Sequence, residues 1–126
     1  MIDNTFASPV NQNPINFGID TVIHRATKYL GGHSDITAGV ILGSNKCMEL
    51  VFKSAKNFGG SLSDHTVWLL ERSVKTLFIR VKEQNKNAQK LAELLDGEEW
   101  GTKVYYPGLA SHPDHALAKR QMHGFG

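Results

Sequence analysis

Short apolar or β-branched runs alternate along this chain with longer stretches of helical periodicity. The runs cover residues 2–6, Thr21–His24, 38–42 and 103–106. Runs of four or five such residues are typical of buried strands. Strands that alternate with helices predict an α/β chain with a largely parallel sheet, in which the run around Val40 could pair in either direction.

Four stretches of the sequence have the features of helices. Residues 14–18 suit one short turn, because proline stands at the start and glycine at the end. Residues 46–55, 66–95 and 114–122 are the longer candidates. Residues 8–13, rich in asparagine and proline, are expected to form a polar loop.

The longest of these stretches, 66–95, carries apolar residues at steps of three and four. This spacing marks one face of a helix and includes Val67, Leu70, Val74, Leu77, Phe78 and Val81. Because the stretch is long for one helix, we expect a break near Lys75 and Thr76. Ser63 or Asp64 is the expected N-cap.

Charge and cysteine content limit the partners and the compartment. The 126 residues carry a net charge of +2 and 40% apolar residues, so nothing in the composition indicates nucleic acid or an anionic membrane as a partner. No apolar run approaches the length of a membrane span, and residues 1–4 lack the features of a secretory signal. The single cysteine, Cys47, fits a reducing cytoplasm best.

Asp3 and Lys28 lie at or just beyond the ends of two predicted strands that a short crossover connects. Ligands collect at the carboxyl ends of strands in open α/β sheets, so both side chains could face one ligand. Pyridoxal 5′-phosphate (PLP) needs such a pair, namely an amine for its aldehyde and a carboxylate for its pyridine nitrogen. On spacing alone, a surface lysine and a capping aspartate are the favoured interpretation.

Several ordered sequence blocks resemble the trans-sulfuration (Cys/Met metabolism) family of PLP-dependent enzymes, such as cystathionine γ-synthase, cystathionine γ-lyase and methionine γ-lyase. The first two are Asp3-Asn4-Thr5-Phe6 and the lysine signature His24-Arg25-Ala26-Thr27-Lys28-Tyr29-Leu30-Gly31-Gly32-His33-Ser34-Asp35. Later blocks are Gly59 to Leu62, Trp68 to Arg72, Lys75 to Leu77, Tyr106 to Leu109 and Gln121 to Gly126. The similarity covers almost the whole chain in order.

The resemblance implies part of the aspartate-aminotransferase-like (fold type I) large domain. It implies elimination or replacement at the β or γ carbon of sulfur-linked amino acids. By position, Lys28 resembles the lysine that holds PLP as a Schiff base, Asp3 the partner of the pyridinium nitrogen, and Thr27 a phosphate contact. No metal is implied.

Arg25 departs from the family pattern, which has serine at this position as a phosphate ligand. Arginine is larger and differently shaped, although it can neutralise a phosphate. Either Arg25 swings outward and one phosphate donor is lost, or it makes a new ionic contact with the cofactor. We favour the first because this pocket is tight in the family.

The resemblance also predicts the extent of the chain and its partners. Residues 1–126 correspond to the later part of the PLP-binding large domain, and we expect the N-terminal half and the small C-terminal domain of the family to lie outside them. An amino-acid substrate and a homo-oligomer built from dimers into a tetramer are implied. The alternative is a truncated, inactive remnant. The blocks are shared by synthases, lyases and sulfhydrylases, so they leave the member reaction open.

Overall fold

The computed structural model describes residues 1–98 and 103–126. Its elements are β1 (Ile2–Asp3), α1 (Ser8–Asn11), a 3-10 helix (Pro14–Phe17), β2 (Thr21–His24), β3 (Val40–Gly43), α2 (Asn45–Phe58), α3 (Asp64–Val74), α4 (Leu77–Asp96) and α5 (His115–Gln121). The α/β class predicted from the sequence is confirmed.

The three strands form one mixed sheet in the order β1-β2-β3. β1 and β2 are parallel, with Asp3 opposite Ile23, and only α1 and the 3-10 helix connect them. β2 and β3 are antiparallel, with Val22 opposite Leu42. The direction that the sequence left open at Val40 is therefore antiparallel.

The helix boundaries follow from local capping. The hydroxyl of Ser44 accepts the backbone N–H of Cys47 at the start of α2, and the hydroxyl of Ser63 accepts that of Thr66 at the start of α3. Ser63, rather than Asp64, is therefore the N-cap. The predicted break is confirmed, because α3 ends at Val74 and α4 begins at Leu77.

Two sequence predictions about local structure are wrong. The expected loop over 8–13 contains the short helix α1, which begins where the N–H of Ser8 donates to the carbonyl of Asn4 at 3.0 Å. The expected strand over 103–106 is irregular. Its side chains supply the contacts instead, since the Tyr106 hydroxyl donates to the Gly126 carbonyl at 3.0 Å.

The main buried cluster lies between the segment that follows β2 and the first turns of α4. Its members are Ala26, Leu30, Ile36, Ala38, Leu77 and Val81. The apolar face predicted over 66–95 is divided by the helix break: Leu77 and Val81 of α4 are buried, whereas Val67 and Val74 of α3 are 50% and 42% exposed. The apolar face does not continue from α3 into α4, because the chain leaves the helical path between them.

Candidate functional site

Asp3 and Lys28 meet at one edge of the sheet. Asp3 ends β1, and Lys28 lies in the turn that follows β2. Because these strands are parallel and paired, their carboxyl ends share an edge. Both residues line a cleft of about 120 Å³ together with Thr5, Phe6 and Arg25. The structure therefore brings together three of the four residues predicted for the site.

A larger neighbouring cleft, of about 480 Å³, contains all four. Asp3, Arg25, Thr27 and Lys28 line it, and residues 37–39 also contribute to its lining. Lys28 also lines a third cleft of about 500 Å³, together with Tyr29 and Asp35. The exposed lysine side chain therefore borders three clefts.

The carboxyl group of Asp3 is held in its ionised form. The backbone N–H of Thr5 donates to Asp3 Oδ1 at 2.9 Å. The side chain and the backbone of Thr5 lower the pKa of Asp3, partial desolvation opposes this, and the positive charge of Arg25 adds a smaller lowering. Hydrogen bonds that favour the carboxylate keep it negative at neutral pH.

Arg25 is fixed through its backbone and free at its end. Its N–H donates to the hydroxyl of Thr5 at 2.7 Å, which links the ends of β1 and β2. The side chain is exposed and borders both clefts that contain Asp3. Ion pairs in the described part of the chain are Lys75–Glu71 and Lys86–Glu83, so none there involves Arg25.

Thr27 bridges two backbone groups of one residue. Its hydroxyl accepts the N–H of Ala38 at 3.0 Å and lies 3.3 Å from the carbonyl of Ala38, to which it donates. The N–H of Thr27 donates to the same carbonyl at 3.2 Å. These bonds tie the lysine turn to the segment before β3 and engage the hydroxyl proton of Thr27.

The turn around Lys28 is closed by backbone hydrogen bonds. The N–H of Lys28 donates to the carbonyl of Arg25 at 3.1 Å, and the N–H of Gly32 donates to the carbonyl of Lys28 at 2.7 Å. The N–H of Gly31 donates to the carbonyl of Ala26 at 2.7 Å. Lys28 thus has a hydrogen-bonded backbone and an exposed side chain.

His24 is a buried neighbour of the site whose role the sequence did not indicate. It is 3% exposed, and its Nδ1 has no hydrogen-bond partner among the described residues. Burial lowers the pKa of His24, while the charge of Asp3 and the backbone of Asn4 partly offset this. The ring is therefore neutral at pH 7. The available sequence signal was the two-residue spacing in the predicted strand, which places His24 on the same face as Val22. Both residues are buried in β2.

Arg80 is a second residue that the sequence analysis missed. From α4 it donates to the carbonyls of Tyr29 and Leu30, directly after Lys28. Its position between Leu77 and Val81, beside the apolar stripe of the helix, was the only sequence signal for a buried contact.

In the described ranges 1–98 and 103–126, no group of three or more His, Cys, Asp or Glu residues could hold a metal ion. His112 Nδ1 accepts the N–H of Asp114 at 3.1 Å, and His115 Nδ1 contacts the carbonyl of Pro107 at 2.8 Å. Within the same ranges, no helix combines the length and the apolar character needed to cross a membrane.

The sequence of all 126 residues matches the family model described as Cys/Met metabolism PLP-dependent enzyme. The chain belongs to this family. Cystathionine gamma-synthase 1, chloroplastic, of Arabidopsis thaliana is 49% identical over 125 residues, which are 99% of this chain and 22% of that protein. Cystathionine beta-lyase of Lactococcus lactis is 47% identical over 127 aligned positions, which are 100% of this chain and 33% of that protein.

Solved structures of family members share the fold. Cystathionine gamma-lyase from Lactobacillus plantarum, complexed with L-serine, aligns with a TM-score of 0.91 at 43% identity, covering 99% of this chain and 33% of that one. Cystathionine gamma synthase from Xanthomonas oryzae, in complex with aminoacrylate and cysteine, aligns with a TM-score of 0.90 at 43% identity, covering 98% and 32%. The chain thus spans about a third or less of the length of these relatives. Its family is one of PLP-dependent enzymes.

Proposed function

We propose that the protein carrying this chain uses PLP, held as a Schiff base on Lys28, to eliminate or replace groups at the β or γ carbon of sulfur-linked amino acids. Membership of the Cys/Met metabolism family supports the reaction class. The observation that carries the site assignment is the shared cleft of Asp3, Arg25 and Lys28. It unites an amine, an ionised carboxylate and a second cation.

The residues of this cleft fit the chemical groups of PLP. The cofactor has an aldehyde for an amine, a pyridine nitrogen that a carboxylate keeps protonated, and a phosphate that seeks cations and hydrogen-bond donors. When bound, PLP supplies an electron-poor ring that stabilises negative charge on the substrate. Asp3 suits the nitrogen because Thr5 holds the pKa of Asp3 below its usual value.

Arg25 and Thr27 are the proposed phosphate contacts. Thr27 must turn its hydroxyl proton away from the carbonyl of Ala38 in order to donate to a phosphate. Arg25 needs no such exchange, since its guanidinium is exposed at the edge of both clefts. This difference supports the new ionic contact for Arg25, rather than the outward position that the sequence analysis favoured.

Lys28 is the proposed proton carrier. With PLP bound, the amine of Lys28 would be able to take a proton from the substrate carbon beside the amino group and deliver it to the sulfur that leaves. The two clefts that Lys28 lines, of about 500 and 480 Å³, give Nζ room for this movement. The turn itself stays closed through the bonds at Gly31 and Gly32.

The proposed substrates and assembly follow the relatives, which are named as cystathionine synthases and lyases. We infer an amino-acid substrate linked through sulfur, and a homo-oligomer built from dimers. Exposed apolar side chains on α3 and α4, such as Trp68 and Phe78, support contact with further protein surface. The free Cys47 supports a reducing compartment, the cytoplasm.

Borohydride trapping tests this proposal. The protein, expressed from its native gene, is incubated with PLP and reduced, and the modified peptide is identified by mass. We expect the adduct on Lys28, its loss in Lys28→Ala, and its retention in Lys46→Ala, which removes an exposed lysine from α2. We expect Lys28→Ala to lose the release of thiol from cystathionine as well as the adduct.

The alternative of an inactive remnant makes the opposite forecast. In that case the wild-type protein forms no adduct, or Lys28→Ala is modified as much as the wild type. Modification at another lysine contradicts the site assignment while leaving the cofactor class intact.

A further inference from the structure

The guanidinium of Arg80 joins three segments around the lysine turn. Nη1 donates to the carbonyl of Tyr29 at 2.8 Å, and Nη2 donates to the carbonyl of Leu30 at 3.3 Å. Nη2 also donates to the carbonyl of Ser73 at 3.0 Å, at the end of α3. Nε donates to the hydroxyl of Thr76 at 3.0 Å. Three nitrogens of one planar group are thus engaged together.

Neutral oxygens hold this cation, and no carboxylate does so within the described residues, where the ion pairs involve lysines only. The carbonyl of Ser73 lies in the last turn of α3, where helix carbonyls lack intrahelical partners and carry partial negative charge. A cation is stabilised there. The helix break between Val74 and Leu77 therefore provides an acceptor that a continuous helix would use internally.

Gly32 shows how closely Arg80 approaches the lysine turn. The backbone at Gly32 has a φ of +75°, which favours glycine, and a Cβ there would overlap the guanidinium. A second contact supports the same junction, since His33 Nδ1 lies 2.7 Å from the carbonyl of Gly31 and 3.3 Å from the hydroxyl of Ser73. The turn is thus attached to the α3–α4 junction on one side and to Ala38 on the other.

We propose that Arg80 is a positioning residue for Lys28: it holds the backbone after Lys28 so that Nζ is directed to the cofactor. The inference rests on the proposed function for the role of Lys28. It adds a residue 52 positions further along the chain, on a different element, that touches no reacting group. Lysine at this position keeps the charge but cannot donate in a planar fork.

The test compares Arg80→Met and Arg80→Lys with Lys82→Met, which removes an exposed cation from the same helix. Two measurements are made on the protein expressed from its native gene. The first is the rate at which PLP becomes fixed to Lys28 by borohydride. The second is amide hydrogen exchange at Gly31 and Gly32, which does not depend on the cofactor.

We expect Arg80→Met to slow PLP attachment by on the order of tenfold to a hundredfold, the effect of a misplacement of about 1 Å. Faster exchange at Gly31 and Gly32 should accompany it. Arg80→Lys should recover part of the rate, and Lys82→Met should match the wild type. The melting temperature of each variant is also measured. A lower melting temperature with an unchanged rate of PLP attachment would show that Arg80 has only a structural role.

An unchanged attachment rate or unchanged exchange in Arg80→Met overturns the positioning role while leaving the proposed function in place. If the wild-type protein attaches PLP elsewhere or not at all, the proposed function fails, and the positioning role fails with it. The two failures are thus told apart by the wild-type adduct.

Discussion

The lysine turn and helix α2 differ in how they are held. Around Lys28, backbone and side-chain hydrogen bonds from Thr5, Ala38 and Arg80 fix the chain from three directions. Helix α2 has no buried residue, and its Phe58 is 91% exposed. The position of Lys28 is therefore determined close to the site, by polar contacts, and requires little from α2.

The largest expected difference between the two regions comes from the same substitution made in each. Leu77→Ala removes a side chain that is 6% exposed in the main buried cluster, and should lower the free energy of unfolding by about 2–5 kcal/mol. Leu50→Ala in α2, where leucine is 67% exposed, should change it by less than about 0.5 kcal/mol. Urea unfolding measures both. Equal losses would show that α2 is covered as closely as the lysine turn.

Two glycines have the same backbone conformation but different surroundings. Gly32 and Gly59 have φ values of +75° and +74°, so alanine strains both. A Cβ at Gly32 meets Arg80, whereas one at Gly59 meets nothing within 4 Å. Gly32→Ala should therefore cost roughly 1–3 kcal/mol more than Gly59→Ala, the range of overpacking.

Urea unfolding of the two glycine variants side by side provides the measurement. The shared strain cancels in the difference, which leaves the contact with Arg80. If the two variants lose the same free energy, Arg80 moves aside freely and does not hold the turn.

The smallest expected effect is a pH dependence from His24. Burial lowers the pKa of His24 from its usual value of 6.5, so the unfolded chain takes up the proton first as the pH falls. Its contribution to stability is complete above pH 6.5 and is lost as the pH falls toward the folded-state pKa. His24→Phe should flatten this part of the stability profile, whereas the exposed His65→Gln should not. A profile unchanged by His24→Phe contradicts the role of burial.

Strands and helix boundaries with strong local signals could be predicted from the sequence. Thr21–His24 was predicted residue for residue, and the break near Lys75 followed from length and periodicity. The helix Ser8–Asn11 was missed because its four residues depend on a bond to Asn4 rather than on propensity. The predicted strand over 103–106 failed because a strand needs a pairing partner, which composition does not reveal.

The sequence predicted the residues of the candidate site that lie in one turn or at the ends of neighbouring strands. Arg25, Thr27 and Lys28 share one turn, and Asp3 was placed beside them by the parallel pairing of two strands. Arg80 could not be found this way, because its contacts depend on how α4 packs against the turn. The hydroxyl of Thr27 likewise depends on Ala38, eleven positions away, whose approach only the folded chain defines.

The interruption between α3 and α4 limits how this protein can be engineered. The carbonyl of Ser73 accepts Nη2 of Arg80 together with the N–H and the hydroxyl of Thr76. Suppose that residues 64–96 were redesigned as one straight helix in order to raise heat resistance. The carbonyl of Ser73 would then accept an intrahelical N–H instead of Nη2 of Arg80. The redesigned helix would be more regular, but the lysine turn would lose its contact with the α3–α4 junction. Selection for thermostability and selection for activity would therefore act in opposite directions at residues 75–76.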